Sequence, residues 1–163
     1  MIADQTVISN WHIQENTLVQ TASTVAEHRI LNRASIERFD FSATMRIRQH
    51  KDETIPAFGI LMQYSEQEEL QVCFLKQQAR WGLAIETANI SPVVNHVLSL
   101  PATFDPATWH TLRLVQQPEQ TIIYLDGQEM LSMLETAQPA QPGLMTTNTS
   151  AEFTDIRRTA GNA

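Results

Sequence analysis

Apolar and polar residues alternate with period two from Phe39 to Ile47. Phe39, Phe41, Ala43, Met45 and Ile47 share one face, while Asp40, Ser42, Thr44 and Arg46 share the other. Successive side chains of a strand point to opposite faces, so this pattern predicts a half-buried strand. Phe58 to Tyr64 is short and almost wholly apolar, with Gly59 inside it, and predicts a buried strand. Glu66 to Glu69 reads as an acidic turn and Leu70 to Leu75 as the returning strand. Trp81, Leu83 and Ile85 alternate once more.

The rhythm repeats downstream. Asn89 to His96 carries Pro92 and reads as loop, Val97 to Leu100 as a short strand, and Pro101 to Thr108 as a connector. His110, Leu112 and Leu114 alternate with Thr111, Arg113 and Val115. Thr121 to Leu125 and Met130 to Leu134 flank Asp126-Gly127. Asp-Gly between two apolar runs predicts a hairpin, because a type I′ turn needs positive φ at both central residues. Pro139 and Pro142 break the chain before Gly143 to Thr147 and Ala151 to Ile156, and residues 157–163 read as a frayed tail. Thr24-Val-Ala-Glu27 has capping-box spacing, so a helix over 24–38 competes with a strand at Arg29 to Asn32 followed by loop; the strand is preferred.

Short strands at intervals of roughly ten residues, with turns between them, predict an all-β sandwich or barrel. No helical crossovers separate the strands, so the pairing is expected to be antiparallel. The 163 residues fit one domain, 1–163, with an ordered core over 7–156.

Taken in order, several segments form a recognisable succession. A strand at Trp11 and Asn16-Thr-Leu-Val-Gln20 precede the long Phe39 to Ile47 strand. Gly59-Ile-Leu-Met-Gln-Tyr64, Leu70-Gln-Val-Cys-Phe74 and Thr108-Trp-His-Thr-Leu112 follow, then Ile122-Ile-Tyr-Leu-Asp-Gly127 and Ala151-Glu-Phe-Thr-Asp155. This succession resembles the concanavalin A-like lectin/glucanase superfamily, particularly its laminin-G-like and glycoside-hydrolase-associated sandwich domains. Trp-His-Thr-Leu followed by Tyr-Leu-Asp-Gly is its most specific part. The resemblance implies an antiparallel two-sheet β-sandwich of the jelly-roll kind. It also implies one of three roles, since members bind glycans, hydrolyse them or buttress a catalytic neighbour. Fold transfers across such a superfamily better than function.

Composition narrows the partners. Net charge is −7 and the pI about 5.1, so the surface repels phosphate backbones and no nucleic-acid partner is expected. The densest basic group, Arg46, Arg48 and Lys51, is flanked by acids. No apolar run approaches the roughly 20 residues of a membrane-spanning helix, so no membrane partner is expected. The single cysteine, Cys73, lies in an apolar run and is expected to be a buried, inert thiol. The N-terminal residues lack the basic and apolar regions of a signal peptide. That implies a cytoplasmic site for a complete product, or an extracellular one for a domain excised from a secreted parent.

Catalytic chemistry finds little support. Glycosidases need two carboxylates flanking the scissile bond, and the glucanase motif Glu-x-Asp-x-x-Glu is absent. Glu66, Glu68 and Glu69 read as a solvated turn, and Asp40, Glu86 and Asp126 are isolated. The histidines at 12, 28, 50, 96 and 110 lack metal-ligand spacing, and His110 is expected to be half-buried. No cofactor is expected. Calcium is the one ion the resemblance leaves open, and Asp155 the one position it suggests, although a plain surface role suits Asp155 better. The glycines are too scattered for a phosphate-cradling loop.

Sugar recognition asks for aromatic rings that stack on a pyranose and planar polar groups that bridge its hydroxyls. The candidates are Tyr64, Trp81 and Tyr124, with Arg46, Gln71 and Arg113 as polar partners. Trp11 and Trp109 are expected to be core anchors, and Trp81 is balanced between core and surface. The function expected is a non-catalytic carbohydrate-binding or accessory domain associated with a glycoside hydrolase. The alternatives are a sandwich glycosidase with a non-standard carboxylate pair, and a structural module that oligomerises through an outer face or edge.

Overall fold

The computed structural model describes residues 11–21, 27–31, 35, 39–50, 55–90, 93–134 and 138–160. In chain order the strands are β1 (Trp11–Gln14), β2 (Thr17–Gln20), β3 (Glu27–Leu31), β4 (Phe39–His50), β5 (Ala57–Gln63), β6 (Glu69–Gln77) and β7 (Arg80–Ala88). They continue with β8 (Asn95–Ser99), β9 (His110–Gln116), β10 (Gln120–Leu125), β11 (Gln128–Leu134), β12 (Gln141–Thr147) and β13 (Thr149–Ala160). They form a seven-stranded sheet, β1-β2-β13-β4-β9-β10-β11, facing a six-stranded sheet, β3-β12-β5-β6-β7-β8. All pairing is antiparallel, giving one of the two architectures expected from the alternation, the sandwich, in the jelly-roll form that the resemblance implies.

The sheets meet through the apolar halves of the alternating strands. Phe39, Phe41, Ala43, Met45 and Ile47 of β4 are all buried. Phe58, Ile60 and Met62 of β5 and Leu70, Val72 and Phe74 of β6 close on them from the other sheet. The Phe58 and Phe74 rings lie 5.2 Å apart, and Trp11 packs on Phe153 at 5.7 Å. Each such ring removes enough apolar area from water to contribute about 1.5–3 kcal/mol. One polar tie crosses between the sheets. The buried Gln20 amide donates to Thr146 Oγ1 at 2.5 Å and to the Thr149 carbonyl at 3.1 Å.

Three tight hairpins share one geometry. Glu15-Asn16, Gln78-Ala79 and Asp126-Gly127 each place two successive residues at positive φ. These are the mirror-image turns whose twist matches paired strands. The Asp-Gly turn therefore lies where expected, whereas Gln78-Ala79 uses residues with no preference for the left-handed region.

The strand preferred near Arg29 is β3, which begins at the capping-box Glu27 and pairs with β12, so pairing overrides local helix spacing. The rest of the 24–38 segment, apart from residue 35, lies outside the described residues. Other segments depart from the sequence reading. Residues 157–160 of the expected tail are strand instead, and 161–163 lie outside the described residues. Asp155, at φ 49°, marks an irregularity in β13, after which Arg157 to Ala160 pair with Ser42 to Phe39. A bulge of this kind re-aims a strand without ending it. β8 begins at Asn95, so His96 belongs to an edge strand and not a loop. Pro142 lies within β12, paired to Met62, while pairing with β3 begins only at Gly143. A missing N–H is tolerated at such a strand start.

Candidate functional site

The sandwich has two outer faces, and the residues suggested for sugar binding divide between them and the core. Arg46, Arg113 and Tyr124 lie on the outer face of the seven-stranded sheet. Arg113 makes a two-pronged pair with Asp40, Nε to Oδ1 at 2.9 Å and Nη2 to Oδ2 at 2.7 Å. The Asp40 hydrogen bonds raise the Arg113 pKa above its ordinary value, against the opposing effect of burial. Its guanidinium also sits 5.5 Å from the centre of the Tyr124 ring. Arg46 Nε donates to Glu152 at 2.6 Å and lies 4.2 Å above the Trp109 ring. Thr44 and Thr111 hydroxyls bond between these two groups at 2.7 Å. On this face the two guanidinium groups are already paired, Arg46 with Glu152 and Arg113 with Asp40. The cationic candidates and both rings are thus engaged with neighbouring side chains.

Tyr64 and Trp81 do not form an exposed platform. Tyr64 continues the inward series Phe58, Ile60, Met62 and packs against the core. Trp81 also packs there, edge-on to Phe58 at 5.9 Å and tilted against Phe104 at 6.4 Å. Trp109 departs from the expectation in the opposite direction. It is 38% exposed and covered by Arg46, while Trp11 is the core anchor expected. The difference follows from register: Trp109 precedes the first residue of β9, where the connector holds it outside the sandwich.

His110 is half-buried and ties the connector to a hairpin. Its Nδ1 lies 2.8 Å from Asp126 Oδ2 and its Nε2 2.8 Å from the Asp105 carbonyl, while its ring stacks on Phe104 at 4.4 Å. Asp126 therefore does more than shape its turn, since its other oxygen accepts from the Thr111 amide at 2.7 Å. Asp155 pairs with Arg157 at 2.7 Å beside the irregularity in β13. Among the described residues, no three His, Cys, Asp or Glu side chains are grouped to hold a metal.

Gln71 alone lies on the outer face of the six-stranded sheet, and this face is hollowed. Cross-strand register builds it in rows. The central row runs Met145, Gly59, Cys73, Ala84, Val97 from β12 to β8. On one side lies Gly143, Leu61, Gln71, Glu86, Asn95, and on the other Thr147, Ala57, Leu75, Gly82, Ser99. Small residues dominate the middle of this surface. A Cβ on Gly59 would sit 2.2 Å from the Val72 carbonyl oxygen, and one on Gly143 2.5 Å from that of Ile30. Neighbouring backbone therefore forbids larger side chains at those positions. The result is a groove of about 390 Å³ over Ala57, Cys73, Leu75, Ala84, Val97 and Met145. Gln71, Gln77, Glu86, Asn95 and Asn148 supply its polar rim.

A charged strut spans the same face. Arg29 of β3 reaches across to Glu69 of β6, Nη1 to Oε1 at 3.1 Å, and Gln71 Nε2 donates to the other Glu69 oxygen. Both side chains of the pair are largely buried. Asn148 Nδ2 donates to the Ile55 carbonyl at 3.1 Å at the groove's far end. Cys73 is buried as expected, but it faces this groove and not the space between the sheets. Its Sγ lies 3.3 Å from Met145 Sδ. The outward set Gln71, Cys73, Leu75 is legible as alternation along β6. Asn95, Asn148 and Met145 join it only through strand order, for which the sequence carries no signal.

Comparison with solved structures identifies the architecture. A carbohydrate-binding module, CBM66 from Bacillus subtilis, superposes with TM-score 0.67 at 15% identity over 92% of this chain and 91% of that one. An endo-β-1,3-glucanase from Pyrococcus furiosus gives 0.70 at 13% identity, over 94% of this chain and 79% of that one. A β-glucanase from Bacillus licheniformis gives 0.67 at 14% identity, over 94% and 83%. The chain thus has the concanavalin A-like sandwich fold. No family model matches it, and no curated protein matches it in sequence.

Proposed function

We propose that this chain is a non-catalytic carbohydrate-recognition domain that takes a saccharide in the groove of its six-stranded sheet. The observation that carries the reading is the groove's lining: an aliphatic floor beneath a rim of Gln71, Gln77, Asn95 and Asn148. Amide side chains offer both donors and acceptors, which suits hydroxyl groups. The volume falls within the range of small-molecule sites. Similarity in fold to a carbohydrate-binding module and to glucanases agrees with this reading. An accessory role beside a glycoside hydrolase is the natural setting for such a domain.

The groove's carboxylates argue against turnover. Glycosidases require one carboxyl that can carry a proton and a second across the scissile bond. The outward positions of β6 read Glu69, Gln71, Cys73, and both Glu69 oxygens are held by Arg29 and Gln71. Glu86 stands opposite Gln71 and is exposed.

A glycan array probed with the full chain, with and without a chelator, tests this. Binding is expected, and the double substitution Gln71→Ala with Asn95→Ala should abolish it while the far-ultraviolet circular dichroism stays unchanged. Silence across the array overturns the reading. So does oligosaccharide turnover that stops on Glu86→Gln. Signal lost on chelation would assign calcium a part in binding.

A further inference from the structure

We infer that the groove selects a neutral sugar bearing a methyl group, seated with that methyl against Cys73, Ala84 and Met145; this rests on the groove being the glycan site. None of the described residues lining the groove is aromatic, so no ring is present to cover the C–H face of a pyranose. What the floor provides is small and local: the Ala57 and Ala84 methyls, the Val97 branch, and two sulfur atoms 3.3 Å apart. Sulfur is polarisable and adapts to a small apolar partner. A methyl group is the apolar unit that such a floor can enclose.

Gly59 and Gly82 flank the Cys73–Ala84 pair on this face. A Cβ at Gly82 would meet Val97 Cγ1 at 2.7 Å and the Leu98 carbonyl oxygen at 3.0 Å, and Gly59 is closed to one by backbone alone. The missing side chain at Gly59 is therefore enforced by backbone, and that at Gly82 by the Val97 side chain together with the Leu98 carbonyl.

Among the described residues, the groove lining holds Glu86 and no cation, and Glu69 beside it is already paired with Arg29. An anionic sugar would meet like charge with no compensating partner. Gln71, Gln77 and Asn95 instead suit a neutral ring's hydroxyls. Two sources carry the required methyl on a neutral ring, 6-deoxy sugars and acetamido sugars, and both share the chemistry the floor recognises.

Competition titrations on the full chain separate these possibilities. The probes are free reducing sugars in matched pairs: D-fucose against D-galactose for the 6-deoxy arm, N-acetylglucosamine against glucose for the acetamido arm, and glucuronic acid for charge. The methyl-bearing member of at least one pair is expected to bind roughly tenfold tighter than its partner. Ala84→Leu should remove that preference by filling the floor. Val97→Asp, at an exposed edge-strand position, should weaken it without disturbing the core. Equal binding within both pairs, or tighter binding of glucuronic acid, overturns the inference. If binding is also lost in the Gln71→Ala/Asn95→Ala variant, the carbohydrate reading still stands. Absence of binding by any glycan in the wider array defeats both.

Discussion

The β6–β7 and β10–β11 hairpins have the same turn geometry but opposite residue choices, which makes a paired experiment. Gln78 and Ala79 hold φ values of 52° and 64°, and Asp126 and Gly127 hold 49° and 85°. An L-residue with a Cβ loses about 1–2 kcal/mol in the left-handed region. Glycine escapes that penalty but carries about 0.5–1 kcal/mol of extra chain entropy into the unfolded state. The difference favours Ala79→Gly by about 0.5–1 kcal/mol. The reverse change is Gly127→Ala. A Cβ there would have no heavy atom within 4 Å, so its cost is purely conformational and of the same size. For a chain of this length, each kcal/mol moves the melting temperature by about 2–4 °C. Urea titration of both variants is the assay, with the slope m checked for constancy. Ala79→Gly should raise the midpoint and Gly127→Ala should lower it. If both move the same way, or if Ala79→Gly destabilises, the turns are not set by backbone conformation as argued.

Two further changes probe the interior. Gln20→Ala leaves the buried Thr146 hydroxyl and Thr149 carbonyl without the amide that joins the sheets. It should cost about 1–3 kcal/mol in urea titration, and no measurable cost would show that those groups find other partners. Phe58→Ala removes a fully buried ring that touches both Phe74 and Trp81. A loss of about 3–5 kcal/mol is expected by thermal and chemical unfolding, and a loss below about 1 kcal/mol would mean the core collapses into the space.

Much of this protein is written locally. The alternation of Phe39 to Ile47 determines which half of β4 is buried, because side-chain direction in a strand reverses at every residue. The same rule orients Arg113 and Tyr124 outward, and Asp126-Gly127 specifies its own turn. Parity also separates two large rings near strand starts. Trp81 shares the inward side of Leu83 and Ile85 and packs against the core, whereas Trp109 shares the outward side of Thr111 and Arg113 and lies under Arg46.

Pairing across the chain also decided the ends. β13 continues to Ala160 because its irregularity at Asp155 brings Arg157 and its successors alongside β4, more than a hundred residues earlier in sequence. The groove has the same origin. Gln71 and Cys73 follow from alternation along β6, but Met145 and Asn95 join them only because β12 and β8 lie in the same sheet. Hydrophobic period chooses a face for each strand without choosing its neighbour. Local sequence thus determined the strands, the Asp126-Gly127 turn and the direction of most side chains. The tertiary structure alone decided which outward residues share a surface, and so where a ligand could sit.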